Sequence, residues 1–119
     1  MDVESIARAF SGHRFAEAYD HLADGVRWTN FGGPVYEGRA AVVAACEQTA
    51  EHLASTTVHV RRFVVIANDG AAAVDTLTEY VSADGDRHVI ASCDLYEAAD
   101  GLVISIRSYT VEVDAPSDG

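Results

Sequence analysis

The chain has 119 residues, of which 49% are hydrophobic, and its formal net charge is −11 from 19 acidic and 8 basic side chains. This length fits one domain with a core of its own, and a field this negative argues against nucleic acid, an anionic membrane or a polyanionic substrate. The charge favours a neutral or cationic small molecule as ligand, or no ligand. No stretch approaches the ~20 apolar residues that cross a bilayer, and the acidic, amphipathic N-terminus is unlike a signal peptide, so a cytoplasmic protein is expected.

The N-terminal segment predicts two helices in succession. Apolar side chains recur at helical spacing through Val3–Phe10, and Asp2 stands where a capping residue belongs, so a first helix is expected there. Gly12 ends this helix. A second, shorter helix is predicted over residues 15–22, where apolar side chains again recur three and four positions apart.

A strand, a loop and the longest helix follow. Val26 and Trp28 alternate with polar neighbours, which predicts a strand. The stretch TNFGGPVYEGR, residues 29–39, places Gly-Gly-Pro between that strand and a Gly-Arg step, and is typical of a loop. Residues 39–54 carry one apolar stripe and predict a helix.

The second half of the sequence predicts four long strands, at residues 56–67, 71–82, 87–98 and 102–113. They are separated by NDG, ADGD and ADG, in which glycine supplies the positive φ of a tight hairpin turn. Three such turns in succession predict an antiparallel meander. The order α-α-β-α-β-β-β-β is an α+β fold, a single domain at residues 1–114 followed by a disordered tail at residues 115–119.

Two stretches of this sequence resemble the nuclear transport factor 2-like superfamily, which includes SnoaL-like polyketide cyclases, ketosteroid isomerases and limonene epoxide hydrolases. They are WTNFGGPVYEGRAAV, which opens the long helix, and CDLYEAADGLVISIRSYTVEV, the closing hairpin. The element order matches over nearly the whole chain. The resemblance implies a cone-shaped, curved antiparallel sheet closed by three N-terminal helices around a pocket.

The resemblance also implies site residues by position. Asp94, in CDLYE, falls where ketosteroid isomerases keep a protonated aspartate, and Asn30 falls at or next to their general base. The tyrosine that the isomerases carry on their first helix would fall near Ser5 or Ile6, so it is missing here. Ser108 takes the place of one aspartate of the epoxide hydrolases, and their second aspartate would fall near Leu77 or Thr78. The hydrolase mechanism is therefore not expected.

Glu79 is the second acidic candidate. Alternation along the 71–82 strand is taken to turn four side chains inward, those of Asp75, Leu77, Glu79 and Val81. Two carboxylates in one poorly solvated cavity do not both stay ionised cheaply, so Asp94 is expected to act as a general acid with Glu79 across the pocket. Asn30 would orient a water or a substrate carbonyl.

Further ligand contacts are expected from the first strand, the loop and the inward faces of the later strands. They are Trp28, Tyr36, Leu77, Ser92, Tyr96, Ile106, Ser108 and Thr110. Aromatic and hydroxyl side chains line small-molecule sites, but aromatic side chains also fill cores. For Asp94 the alternative is a purely structural contact with Ser92, Tyr96 or Arg107.

The strand at 87–98 presents a conflict between pattern and resemblance. Its more apolar face consists of Val89, Ala91, Cys93 and Leu95, which simple patterning would turn inward. The resemblance turns Asp94 inward instead. Asp94 can point inward and the apolar face can still be buried if the outer face of the sheet is the interface of a homodimer. Tyr80, Tyr109 and Val111 would be neighbours on that face.

No metal or cofactor motif stands out. The five histidines, which lack the spacing of metal ligands, are His13, His21, His52, His59 and His88. Cys46 and Cys93 are far apart in sequence and are expected to be free thiols in a reducing compartment. We therefore expect neither a metal nor a cofactor.

Two functions from different classes remain open. One is a small enzyme that uses acid/base chemistry without a cofactor on a hydrophobic small molecule, by isomerisation, cyclisation or epoxide opening. The other is a non-catalytic module for ligand binding or dimerisation, since one fold hosts many functions. A closed pocket in which Asp94 and Glu79 lie within reach of each other and of Asn30 favours the enzyme. A cavity filled by Trp28 and Tyr96, or a charge pair with Arg107, favours the module.

Overall fold

Two α-helices and one six-stranded sheet form the part of the chain that the computed structural model describes, residues 1–114. The elements are α1 (Val3–Ser11), β1 (Leu22–Asn30), β2 (Val35–Glu37), α2 (Arg39–Leu53), β3 (Thr57–Ala67), β4 (Ala71–Val81), β5 (Arg87–Ala99) and β6 (Leu102–Val113). The α+β class is confirmed. The tail predicted at residues 115–119 lies outside the described residues.

Helix α1 forms where the sequence predicts it. The Asp2 carboxylate accepts a hydrogen bond from the Ser5 N–H at 2.8 Å, which satisfies one of the free donors of the first turn. Ile6 and Phe10 lie on its buried stripe, at 1% and 3% exposure. The helix ends at Gly12, where an added Cβ would lie 2.7 Å from the Arg8 carbonyl oxygen.

The second predicted helix does not form as an α-helix. Residues 15–22 contain two 3-10 turns, Phe15–Glu17 and Tyr19–His21, neither of which has a side-chain cap. The segment is too short to repay the cost of nucleating a helix, and β1 already begins at Leu22. The expectation of three N-terminal helices is therefore wrong: α1 and α2 are the two α-helices of residues 1–114.

The strands lie in the order β2-β1-β6-β5-β4-β3. The last four form the expected antiparallel meander, but β1 pairs in parallel with β6, with Asn30 opposite Ser108. The expectation of a wholly antiparallel sheet is therefore wrong, and the sheet is mixed. Helix α2 connects β2, at one edge of the sheet, to β3, at the other edge. The meander from β3 to β6 then leads back across the sheet to β1, and β6 runs in the same direction as β1.

The loop after β1 contains the short strand β2, which pattern reasoning missed. Val35–Glu37 pairs with β1, with Tyr36 opposite Trp28. Gly32 adopts a φ of 83°, a left-handed conformation that favours glycine. The Gly-Gly-Pro turn thus lets the chain reverse onto β1 before α2 begins.

The two faces of the sheet differ. The inner face is the one that packs against α1, and it carries Tyr96 and Ile106, which are almost fully buried in the core. The outer face carries ion pairs and exposed apolar side chains, among them Tyr109 and Val111 at 44% and 61% exposure. Neither α1 nor α2 is long and apolar enough to cross a membrane.

Candidate functional site

A cavity of about 260 Å³ lies between the end of α1 and the inner face of β4, β5 and β6. Its apolar wall includes Phe10, Phe15 and Trp28, and its polar wall includes Thr76, Thr78 and Asp94. At ~30 Å³ per water this volume corresponds to roughly nine water molecules, so it suits a ligand of one or two rings. Trp28 and Tyr96 do not fill the space.

Asp94 is held in this cavity by a hydrogen-bond chain that starts at Trp28. The Trp28 Nε1–H donates to Ser108 Oγ at 2.9 Å, and Ser108 Oγ–H donates to Asp94 Oδ1 at 2.6 Å. An indole nitrogen can only donate, so the direction of the first bond is fixed and the Ser108 hydrogen remains available for Asp94. One carboxylate oxygen therefore acts as an acceptor.

A second chain reaches the other carboxylate oxygen from the core. Ser11 Oγ–H, at the end of α1, donates to Asp94 Oδ2 at 2.7 Å, and Ser11 Oγ lies 2.5 Å from Tyr96 Oη. Since Ser11 gives its hydrogen to Asp94, the Tyr96 O–H is the donor of that contact. Burial, followed by the Asp94 charge, raises the pKa of Tyr96 well above its ordinary value, which keeps it a phenol.

Together the two chains hold Asp94 as an acceptor at both oxygens. With a hydroxyl donor at each oxygen, Asp94 is placed as an acceptor, whereas the expected general acid would have to donate. The expected alternative partners Ser92 and Arg107 do not bind Asp94, because Arg107 pairs with Glu97 on the outer face.

Strand register explains why these groups meet. Asn30, Ser108 and Asp94 lie opposite one another on β1, β6 and β5, in one row across the inner face. Directly opposed side chains in neighbouring strands lie about 5 Å apart. Ser11 completes the group because α1 ends above this row.

The structure places six of the expected site residues along the cavity: Trp28, Asn30, Ser92, Asp94, Ser108 and Thr110. Asn30 also holds the loop, since its Nδ2–H donates to the Pro34 carbonyl oxygen at 3.2 Å. Tyr36 packs behind Trp28, at 5.5 Å between ring centroids. Tyr96 and Ile106 lie beneath the cavity in the core, so they support its wall from behind.

The expected inward face of β4 is wrong. Thr76, Thr78 and Tyr80 line the cavity, so Asp75, Leu77, Glu79 and Val81 face the other side of the sheet. Glu79 is not across the pocket from Asp94, and Leu77 is not a pocket wall. Tyr80, expected on the outer face, lies on the inner one.

Glu79 instead joins an ion-pair cluster on the outer face. It is only 6% exposed, and it accepts hydrogen bonds from Arg87, including one from Nε at 2.8 Å, while Arg61 lies 3.2 Å away. The bonds from Arg87 are the main reason that the pKa of Glu79 lies below its ordinary value; those from Arg61 add to it, and burial opposes both. Its place in the fold is that of a structural counter-charge.

Replacing Glu79 by Gln is expected to remove an acid-sensitive part of the stability. The pKa of Glu79 is lower in the folded protein than in the unfolded chain, where it is ~4.3. The ionised carboxylate therefore stabilises the fold fully at a pH above ~4.3, and this stabilisation is lost as the pH falls through the pKa of the folded protein. Urea unfolding between pH 3 and pH 7 should therefore depend less on pH in Glu79→Gln. Asp75→Asn, which breaks an exposed pair with Arg62 on the same face, is the control and should have little effect. An unchanged pH slope in Glu79→Gln would contradict the assignment.

Pattern reasoning missed several residues of the cavity. Ser11 and His13 lie just before and after the glycine that ends α1, outside any strand alternation. Thr49 enters from α2, between apolar positions of its stripe. Thr76, Thr78 and Tyr80 could have been predicted to line the cavity, because they alternate along β4 and so share one face of that strand.

No group of three metal-binding side chains occurs within residues 1–114. The cysteines there are unpaired thiols, and burial raises the pKa of the Cys46 thiol to about 12.

Comparison with known proteins places this arrangement in context. The sequence profile of the SnoaL-like domain family matches residues 3–106. No curated protein matches the chain. Among solved structures, an NTF2-like protein of unknown function from Cytophaga hutchinsonii is 25% identical, with a TM-score of 0.78 over 90% of this chain and 94% of that one.

Two further solved structures share the fold. A provisionally named polyketide cyclase from Xanthomonas campestris pv. campestris is 23% identical, with a TM-score of 0.70 over 90% of this chain and 85% of that one. An LEH-like epoxide hydrolase from M. tuberculosis is 17% identical, with a TM-score of 0.65 over 91% and 81%. At these identities the likeness concerns the fold alone.

Proposed function

The chain belongs to the SnoaL-like domain family, and from this premise we propose that it is a small enzyme that moves a proton on a hydrophobic carbonyl compound without a cofactor. The observation that carries the proposal is the Asp94 carboxylate, held by Ser11 and Ser108 as an acceptor in a cavity with one aromatic and one polar wall. The proposal includes a sheet that curves as a cone around this cavity.

Asp94 acts as the base in this proposal. It takes a proton from the carbon next to a carbonyl group; the C–H electron pair becomes a C=C bond and the carbonyl oxygen becomes an enolate oxygen. The protonated Asp94 then returns the proton to another carbon, which isomerises the substrate. In a cyclisation the enolate carbon attacks a second carbonyl, and the proton goes to the resulting alkoxide oxygen.

The composition of the cavity wall favours this chemistry over epoxide opening. Epoxide hydrolysis by a pair of carboxyl groups needs one to activate the water and one to protonate the leaving oxygen, and within residues 1–114 Asp94 is the single carboxylate that lines the cavity. A carbonyl substrate needs one base that both takes and returns the proton. Its size would be one or two rings, to match the volume of about 260 Å³.

The test uses solvent deuterium. Small cyclic ketones and enones are incubated with the protein in D₂O, and deuterium gained next to the carbonyl is measured by mass spectrometry. The proposal expects exchange above the buffer rate for at least one ring system. Binding of these compounds without exchange would instead support a ligand-binding module.

We also propose that the outer sheet face is the interface of a homodimer. Tyr109 and Val111 are exposed there beside the half-buried Cys93 and Leu95, and exposed apolar side chains grouped on one face mark interaction sites. We also propose that the protein acts in the cytoplasm, a reducing compartment in which free thiols such as those of Cys46 and Cys93 persist.

Light scattering at micromolar concentration should therefore give twice the chain mass of 12.7 kDa. Val111→Glu should shift the mass toward that of the single chain, because a charge would be buried without a partner. Ala44→Glu is a control at an exposed position of α2, away from the outer sheet face, and should not change the mass. A wild-type mass near 12.7 kDa would contradict the interface.

A further inference from the structure

His13 is held in an uncommon backbone conformation at the edge of the cavity. Its φ is 65°, in the left-handed region that residues other than glycine rarely adopt. Two backbone bonds fix the turn: the His13 N–H donates to the Phe10 carbonyl oxygen at 3.1 Å, and the Arg14 N–H to that of Ala9 at 2.8 Å. The conformation lets α1 end at Gly12 while His13 still faces the cavity that contains Asp94.

The His13 side chain is half-buried among aromatic rings. Its centroid lies 5.7 Å from that of Phe15 and 6.2 Å from that of Tyr80. Burial lowers the pKa of His13, and the Asp94 charge opposes this effect. The imidazole is therefore neutral near pH 7, with one N–H to donate.

His13 also borders more than one cavity. His13 and Tyr80 line the Asp94 cavity and an adjoining cavity of about 340 Å³ that extends toward His52 and Leu53. No hydrogen bond from residues 1–114 engages the ring, and none of its nitrogens is buried without a partner. Its polar atoms are thus accessible to a molecule in either cavity.

We propose that His13 is the second catalytic group of this site and donates its ring N–H to the carbonyl oxygen of the substrate while Asp94 removes the proton. This inference rests on the proposed function. As the C–H pair moves into the C=C bond, negative charge collects on that oxygen, and a positioned neutral donor stabilises it. In one enolisation the Asp94 carboxylate removes the proton as the base, and the His13 imidazole donates a hydrogen bond to the carbonyl oxygen.

Two substitutions at His13 separate donation from packing. His13→Phe keeps a ring against Phe15 and Tyr80 but has no N–H, so kcat for deuterium exchange should fall ~10²–10³-fold with little change in KM. His13→Gln keeps an amide N–H and should recover at least about tenfold of that loss. His52→Gln, which changes only the adjoining cavity, should behave as wild type. Equal rates for His13→Phe and wild type would overturn the proposal.

A second measurement does not depend on turnover. Addition of 2-naphthol, a planar mimic of an enolate, should shift the ¹⁵N resonances of the His13 ring more than naphthalene, which has no oxygen. If the wild type exchanges no ketone, the proposed function fails, whereas equal shifts with both compounds overturn the His13 role by itself. A larger shift with naphthol supports the hydrogen bond to oxygen.

Discussion

Asp94→Asn is expected to fold normally and to lose deuterium exchange by ~10²–10⁴-fold, the usual contribution of a positioned general base. Asparagine keeps the shape of the side chain but cannot take up a proton as a carboxylate does. Its amide nitrogen would also face a hydroxyl that now donates, from Ser11 or Ser108, so one of these hydroxyls must turn. The exchange rate and the circular dichroism spectrum are measured on the same sample.

Ser92→Ala provides the matched control for this experiment. Ser92 lies on the same strand and lines the same cavity, but its hydroxyl makes only a long contact with Thr110, at 3.4 Å. We expect its exchange rate to stay within a few-fold of wild type, since that contact is weak. Full activity of Asp94→Asn, or an equal loss in both variants, would remove Asp94 from its proposed role.

Phe10→Ala is expected to have the largest effect on stability, about 3–5 kcal/mol for removal of a buried aromatic ring. Phe10 is 3% exposed, and edge-to-face contacts join its ring to those of Phe15, Trp28 and Tyr96, at centroid distances of 5.2, 5.1 and 6.0 Å. These contacts add to the burial term. Because two of these partners position the chains that hold Asp94, the substitution should also disturb the site.

Phe31→Ala is the comparison for this prediction. Its ring also stacks on an aromatic partner, Tyr109, at 4.5 Å, but it is 50% exposed and lies in the loop after β1. A cost of about 1 kcal/mol or less is expected, because little apolar surface returns to water. Urea unfolding of both variants gives the free energies. A smaller cost at Phe10 than at Phe31 would show that the aromatic cluster is not the centre of the core.

The meander could be predicted from local sequence, whereas the mixed sheet could not. Asp-Gly turns fix each hairpin within a few residues of chain, so β3 to β6 follow from the sequence alone. The parallel pairing of β1 with β6 joins Asn30 to Ser108 across most of the chain, and no turn residue encodes it. The same limit applies to β2, whose three residues carry no period.

The inner face of β4 was predictable in principle. The hairpin at residues 82–86 pairs Tyr80 with His88 and Val74 with Asp94, so an inward Asp94 requires inward even-numbered residues on β4. Placing Glu79 and Asp94 on one face contradicts this pairing. Alternation alone does not tell which set of side chains faces inward, and here the inner face is polar where it meets the cavity.

His13 shows a different limit. Its position after Gly12 has no helical or strand period, and a left-handed backbone at a histidine cannot be foreseen from composition. The resemblance to known families pointed to Asp94 and Ser108 through the closing hairpin. It could not indicate a residue whose role depends on how one particular turn ends α1.

A crystal structure of the protein with bound 2-naphthol tests the central claim most directly. We expect the naphthol to lie in the cavity, between the aromatic wall of Phe10 and Trp28 and the polar wall of Thr76 and Thr78. A ring carbon should then lie beside a carboxylate oxygen of Asp94. Naphthol bound on the outer sheet face, or a cavity closed by Trp28 so that Asp94 meets no ligand, would contradict it.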